Sequence, residues 1–168
     1  MEYEKELKRL EDIEYLRGKI DHIRTAMLTT YSLTDSFRSR PMGTAQLDAQ
    51  GNLWFFTNEL STKVAEISHE NKVHITYADS KENVYLSLDG IAETVDDKVK
   101  MQELWNPFVK AYFPKGLDDP KLTLLKVHLT GAEYWDSSEG KLVVLFKIAL
   151  AKITGGKPDL GKHEAVKL

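Results

Sequence analysis

The segment Thr57-Asn-Glu-Leu-Ser-Thr-Lys63 joins an aromatic, apolar run to a stretch with helical spacing, so a strand should end and a helix begin there. The first N–H groups of a helix have no partner within it, and the helix dipole is positive at that end, so such a corner attracts anions. Ser61, Thr62 and Lys63 add two hydroxyl donors and a full positive charge. Arg38 and Arg40 stand on the segment that antiparallel pairing lays beside the aromatic run, which can carry a second cation to the same corner. The chemistry on offer is the binding of a phosphate. The same residues also suit a purely structural arrangement, with Ser61 capping the helix, Lys63 in water and both arginines facing solvent at a strand end.

Other chemistries find less support. Histidines at 22, 69, 74, 128 and 163 form no H-x-H or H-E-x-x-H pattern, so no metal site is expected, and His74 and His128 read as hydrogen-bonded strand residues. There is no G-x-S-x-G elbow, Walker loop or G-x-G-x-x-G, and the absence of cysteine excludes disulfides, thiolate metal sites and nucleophilic thiols. Trp54, Phe55, Phe56, Trp105, Tyr134 and Trp135 could wall a planar cofactor, although most aromatics serve a core. Trp105, Phe108 and Tyr112 read as a helix face packed on the sheet.

The elements that must position these groups follow from periodicity. With 168 residues, 42% hydrophobic and 29% charged, the chain has the length and composition of one folded domain. A formal charge of −3 removes the usual drive for nucleic-acid binding. The charged N-terminus and the lack of a bilayer-length apolar run predict a cytoplasmic protein without a membrane segment. Apolar residues every three to four positions predict an amphipathic helix over 3–20. Strands are predicted over 24–31, 39–47, 52–57, 72–78, 83–95, 122–135 and 142–153, the last two turning around 137–140. A short helix is predicted over 61–70, and a helical stretch from Asp96 should break near Asn106-Pro107. Pro41 lacks a ladder donor, so its amide side should lie at an edge or face a ligand. Hairpin-linked strands with few helices predict a mainly β (α+β) fold, an antiparallel split or closed barrel with peripheral helices. Residues 1–153 form that domain, and the polar, Gly-rich 154–168 reads as a flexible tail.

Arg40-Pro-Met, Trp54-Phe-Phe-Thr-Asn58, Ser61-Thr-Lys63, Tyr77-Ala-Asp79, Leu104-Trp-Asn-Pro107 and Ala132-Glu-Tyr-Trp-Asp136 occur in one order. Over about residues 10–153 the sequence resembles the general stress proteins of the pyridoxamine-phosphate-oxidase-like superfamily, FMN-binding split barrels that are typically homodimers. The resemblance implies FMN, with FAD as the alternative, at the dimer interface. It implies a cofactor phosphate near Arg40 and the helix start at Ser61, Thr62 and Lys63. It further implies that the backbone of Pro41, Met42, Gly43 and Thr44 follows the isoalloxazine edge, that Phe56 and Thr57 border the ribityl chain and phosphate, and that Trp135 approaches from the partner subunit. Thr62-Lys63 replaces the Arg-Lys of the true oxidases, Tyr85 stands where they carry a flavin-binding Gln, and Leu145 stands where they carry an arginine. The implied activity is a flavin-dependent oxidoreductase other than a pyridoxamine-phosphate oxidase, with no side chain assigned as catalytic. The alternatives are a non-enzymatic flavin carrier or stress sensor, and a split barrel that acts through its dimer surface without a cofactor.

Overall fold

The computed structural model describes residues 1–138, 141–157 and 159–168, with the backbone alone over 141–146. The chain opens with α1 (Glu2–Ile23), then β1 (Thr25–Tyr31), β2 (Phe37–Leu47), β3 (Asn52–Asn58) and α2 (Thr62–His69). It continues with β4 (Lys72–Asp79), β5 (Val84–Val95), α3 (Lys98–Leu104) and α4 (Pro107–Tyr112). The long β6 (Leu122–Asp136), α5 (Lys141–Thr154) and β7 (Lys162–Lys167) complete it. The strands form one antiparallel sheet in the order β3-β2-β1-β4-β5-β6-β7, and pairing of β3 with β6 closes six of them into a barrel.

Alternation explains the core. Leu28, Ile75, Leu86, Leu88, Leu125 and Val127 point into the barrel and are buried. Both faces of β3 are covered, since Leu53 and Phe55 face the barrel while Trp54 and Phe56 join Met101 and Leu104 of α3 in a second apolar cluster. Only the second half of α1 packs inward: Ile13, Leu16 and Ile20 are fully buried, contributing about 1.5–3 kcal/mol each, whereas Tyr3, Leu7 and Leu10 are exposed. The break at Asn106-Pro107 is real. The Asn106 side chain accepts from the N–H groups of Phe108 and Val109, and Pro107 opens α4.

Two expectations need correction. The strand predicted over 142–153 is the helix α5; its 14 residues exceed the usual strand length, and Leu, Ala and Lys among them favour a helix despite the β-branched residues interspersed. Of the turn expected at 137–140, residues 139 and 140 lie outside the described residues. The tail expected to be flexible from 154 contains β7, which pairs with Gly131–Asp136 of β6. Its reason is geometric, because β3 covers β6 only from Leu122 to His128 and would leave the rest of that edge without hydrogen bonds.

Candidate functional site

The barrel opens on one side. β2 pairs with β1 from Phe37 to Gly43, but it meets β3 only from Thr44, opposite Phe55, with a register shift before Gln46. Beyond that point Phe56, Thr57 and Asn58 pair with β6 alone. Residues 37–43 of β2 and 56–58 of β3 thus face each other across a gap in the sheet.

The ladder also fixes which groups face the gap. Thr44 donates its N–H to the carbonyl of Arg24 at 2.8 Å, and antiparallel alternation then turns the N–H groups of Met42 and Arg40 toward β1. Positions 39, 41 and 43 turn theirs away from β1. Pro41 therefore sits where its missing donor costs no ladder bond, as its residue type required. The Gly43 N–H looks into the gap, and a side chain there would meet nothing within 4 Å. The side chains alternate as well, with Pro41 and Gly43 exposed, Met42 in the core and Thr44 bonded to the Tyr77 hydroxyl at 2.6 Å.

At the far side of the gap stands the start of α2. Ser61 occupies the N-cap position in an extended conformation, but its hydroxyl caps nothing. The Ser61 Oγ is buried and has no hydrogen-bond partner. Lys63 is half-buried and donates to the Thr57 hydroxyl at 3.0 Å. Burial, and then the guanidinium charge of Arg40, hold the Lys63 ammonium below the ordinary lysine range. Thr62 is exposed. Neither the helix cap nor the solvated lysine of the purely structural arrangement is present.

Arg40 is one-fifth exposed and donates to Glu66 at 2.8 Å and to the Thr30 hydroxyl, so it is no solvent-facing strand end. Arg38 is more open, with its Nε 3.9 Å from Glu66. Glu66 is the residue that the sequence reading missed. Its carboxylate is 1% exposed and accepts from Thr30 at 2.6 Å. Burial pushes its pKa up, but the bonds from Thr30 and Arg40 outweigh that and leave it below the usual range. A signal existed in the adjacency of Glu66 to the inward Ile67 on the short helix, which puts a carboxylate near the apolar face.

Of the remaining expected positions, Phe56 and Thr57 stand on β3 at the gap, whereas Trp135 does not. Phe56 is buried in the second cluster, edge-on to Trp105 at 5.6 Å. Of the three helix aromatics only Trp105 packs; Phe108 and Tyr112 are exposed and Val109 takes the inward place. Trp135 lies twelve residues beyond Thr123, the partner of Thr57, roughly 40 Å along β6. One chain therefore does not bring Trp135 to the α2 corner along that strand. Trp135 is 39% exposed, opposite Tyr85, and stacked on His163 at 5.0 Å. His74 shares hydrogen bonds with Asp89 at 2.8 Å and Ser87 at 3.3 Å, and His128 with Asn52 at 3.0 Å, so both are bonded strand residues. Among the described residues no helix is long and apolar enough to cross a membrane.

A buried hydroxyl without a partner, the positive end of a helix, a half-buried ammonium and a nearby guanidinium together suit a phosphoryl group, so the residues present fit the phosphate end of a flavin nucleotide. The gap beside that corner is edged by Pro41 and Gly43, and a side chain added at Gly43 would meet nothing within 4 Å.

A six-stranded antiparallel split barrel with an added edge strand and peripheral helices is the class this architecture defines. Residues 11–159 match the family described as pyridoxamine 5'-phosphate oxidase like, and the chain belongs to it. The chain is 27% identical over 145 residues to protein bli-3 of Neurospora crassa, covering 81% of this chain and 69% of that protein. Among solved structures it is similar to a Jannaschia sp. CCS1 protein assigned as general stress protein 26, with TM-score 0.74, 26% identity and coverage of 94% and 99% of the two chains. It is also similar to the general stress FMN/FAD binding protein of Xanthomonas citri, with TM-score 0.66, 25% identity and coverage of 76% and 89%.

Proposed function

We propose that this protein is an FMN-binding flavoprotein of the stress-protein group and acts as a flavin-dependent oxidoreductase. The observation that carries the reading is the α2 corner, where the buried Ser61 hydroxyl has no partner and the half-buried Lys63 is bonded to Thr57 at the edge of the gap. The name of the X. citri relative, an FMN/FAD binding protein, supports a flavin as the ligand.

Lys63, Ser61 and the first amides of α2 bind the phosphate, and Arg40 adds charge from β2. Thr57 holds the Lys63 ammonium in place. Pro41 and Gly43 offer a flat, side-chain-poor edge along which the ring can lie, and the Gly43 N–H is a donor toward it. Bound flavin supplies hydride or electron transfer, and the backbone donors near it orient the ring and tune its electronics. A terminal phosphomonoester matches a corner with two cations better than the internal diphosphate of FAD, which favours FMN.

The second half of the site comes from another copy of the chain. Met27, Tyr85 and Trp135 are large apolar side chains left exposed on strands of the sheet, a surface suited to a homodimer in which Trp135 reaches the partner's flavin. The decisive experiment is a visible-absorbance titration of the purified protein with FMN, FAD and riboflavin. Tight FMN binding supports the reading, and absence of any flavin perturbation overturns it. Multiple turnovers of NAD(P)H with an acceptor then mark an oxidoreductase, and binding without turnover marks a carrier.

A further inference from the structure

The phosphate corner contains an anion of its own. Glu66 lies three residues after Lys63 on α2, buried to 1% exposure, and accepts from Arg40 at 2.8 Å and from Thr30 at 2.6 Å. Arg40 also donates to Thr30, so guanidinium, hydroxyl and carboxylate close a ring behind the corner. Arg38 adds a third cation, 3.9 Å from the same carboxylate and half-exposed.

A buried carboxylate is costly unless cations compensate it, and an uncharged amide could accept the same two hydrogen bonds. What the carboxylate adds is charge. With Arg40, Lys63 and Glu66 the inner corner carries one net positive charge; without Glu66 it would carry two. The pKa of Glu66 lies below the ordinary range, so this negative charge is present at neutral pH.

We infer that Glu66 is an internal counter-anion that holds down the affinity of the corner for a phosphomonoester, keeping the nucleotide exchangeable while it fixes the position of Arg40. This rests on the phosphate-binding reading above. Glu66 acts through Arg40 and through its field at the phosphate, and it does not touch the flavin ring. Its effect must therefore appear for ligands that carry a phosphate and vanish for those that do not.

The test compares Glu66→Gln with the wild-type protein, measuring dissociation constants for FMN and riboflavin, and thermal protection by inorganic phosphate. Loss of one negative charge several ångströms from the phosphate should tighten FMN binding by about tenfold and leave riboflavin unchanged. Protection by inorganic phosphate should rise in parallel, and both gains should shrink at high salt. Should Glu66→Gln fail to fold, Arg40→Gln/Glu66→Gln against Arg40→Gln removes the same charge without stranding a cation, and the double variant should bind FMN more tightly. Unchanged or weaker FMN binding, or a riboflavin shift equal to that for FMN, overturns the inference and leaves the flavin reading standing. A wild-type protein that responds to neither FMN nor inorganic phosphate overturns both.

Discussion

The Lys63 ammonium donates to the Thr57 hydroxyl across 3.0 Å, tying the first turn of α2 to the end of β3 where the sheet opens. The bond places a half-buried cation beside Arg40, and burial together with that neighbour's charge holds its pKa below the ordinary lysine range. A cation already held in position by Thr57 should bind an anionic ligand at low cost in reorganisation.

Lys63→Met should therefore weaken FMN binding by about 1.5–3 kcal/mol, roughly ten- to a hundredfold, while leaving the melting temperature of the ligand-free protein unchanged or slightly raised. Calorimetric titration and thermal melts with and without FMN check both halves. A large loss of ligand-free stability would show that Lys63 is structural.

Stability should fall in acid. The Asp136 carboxylate, 9% exposed, is held by Lys19 at 2.7 Å, by the Tyr15 hydroxyl and by the Ser138 N–H at 3.0 Å. Burial alone would raise its pKa, but these bonds bring it well below the ordinary 3.8, and Glu66 likewise lies below 4.5. A carboxylate whose folded pKa is depressed adds stability that is complete above its unfolded value and lost as pH drops toward the folded one. The melting temperature should stay level from neutrality to about pH 5 and decline below about pH 4.5. Asp136→Asn should cost about 1–3 kcal/mol at neutral pH and flatten the acid slope, as read from denaturant melts across pH.

Gly90→Ala should destabilise the barrel by several kcal/mol. An added Cβ would stand 2.5 Å from Val127 Cγ1 and 2.8 Å from the His128 carbonyl oxygen, beside the irregularity where β5 and β6 shift register. The backbone oxygen cannot move without breaking the ladder, so overpacking of about 1–3 kcal/mol is a lower bound. Gly43→Ala, with open space around it, serves as the control: it should melt normally and lose FMN affinity if the ring lies against that edge.

Removing β7 should cost stability although its sequence is polar. Truncation after Gly161 deletes six cross-strand pairs, the Tyr134–Glu164 hydrogen bond of 2.7 Å and the ring stacked on Trp135. A loss of about 2 kcal/mol corresponds to roughly 4–8 °C in Tm for a chain of this size. Trp135 emission should also shift toward that of a solvated indole, and an unchanged melt and emission would mean that β7 is dispensable.

What could be read from the chain alone was local. Alternation located β4 and β5, and apolar, β-branched runs bounded by turn residues located β1, β2, β3 and β6, each to within a few residues, because strand burial and turn chemistry are written locally. Asn106-Pro107 announced the break between α3 and α4, since capping chemistry needs only neighbours. The six motifs in order pointed to the family, and the strand-to-helix corner to an anion, through residue type and spacing. Glu66 escaped because its partners Thr30 and Arg40 are 36 and 26 residues away, and only folding places them around one carboxylate. β7 escaped for a related reason, as its strand exists to complete an edge of β6 that β3 leaves open. α5 shows the limit of apolar runs, which can suit either period until an available edge, or its absence, decides. Where Ser61 finds no partner and where the sheet parts between β2 and β3 were likewise decided by tertiary structure, because an unsatisfied group or an open edge is defined by what the rest of the chain fails to cover.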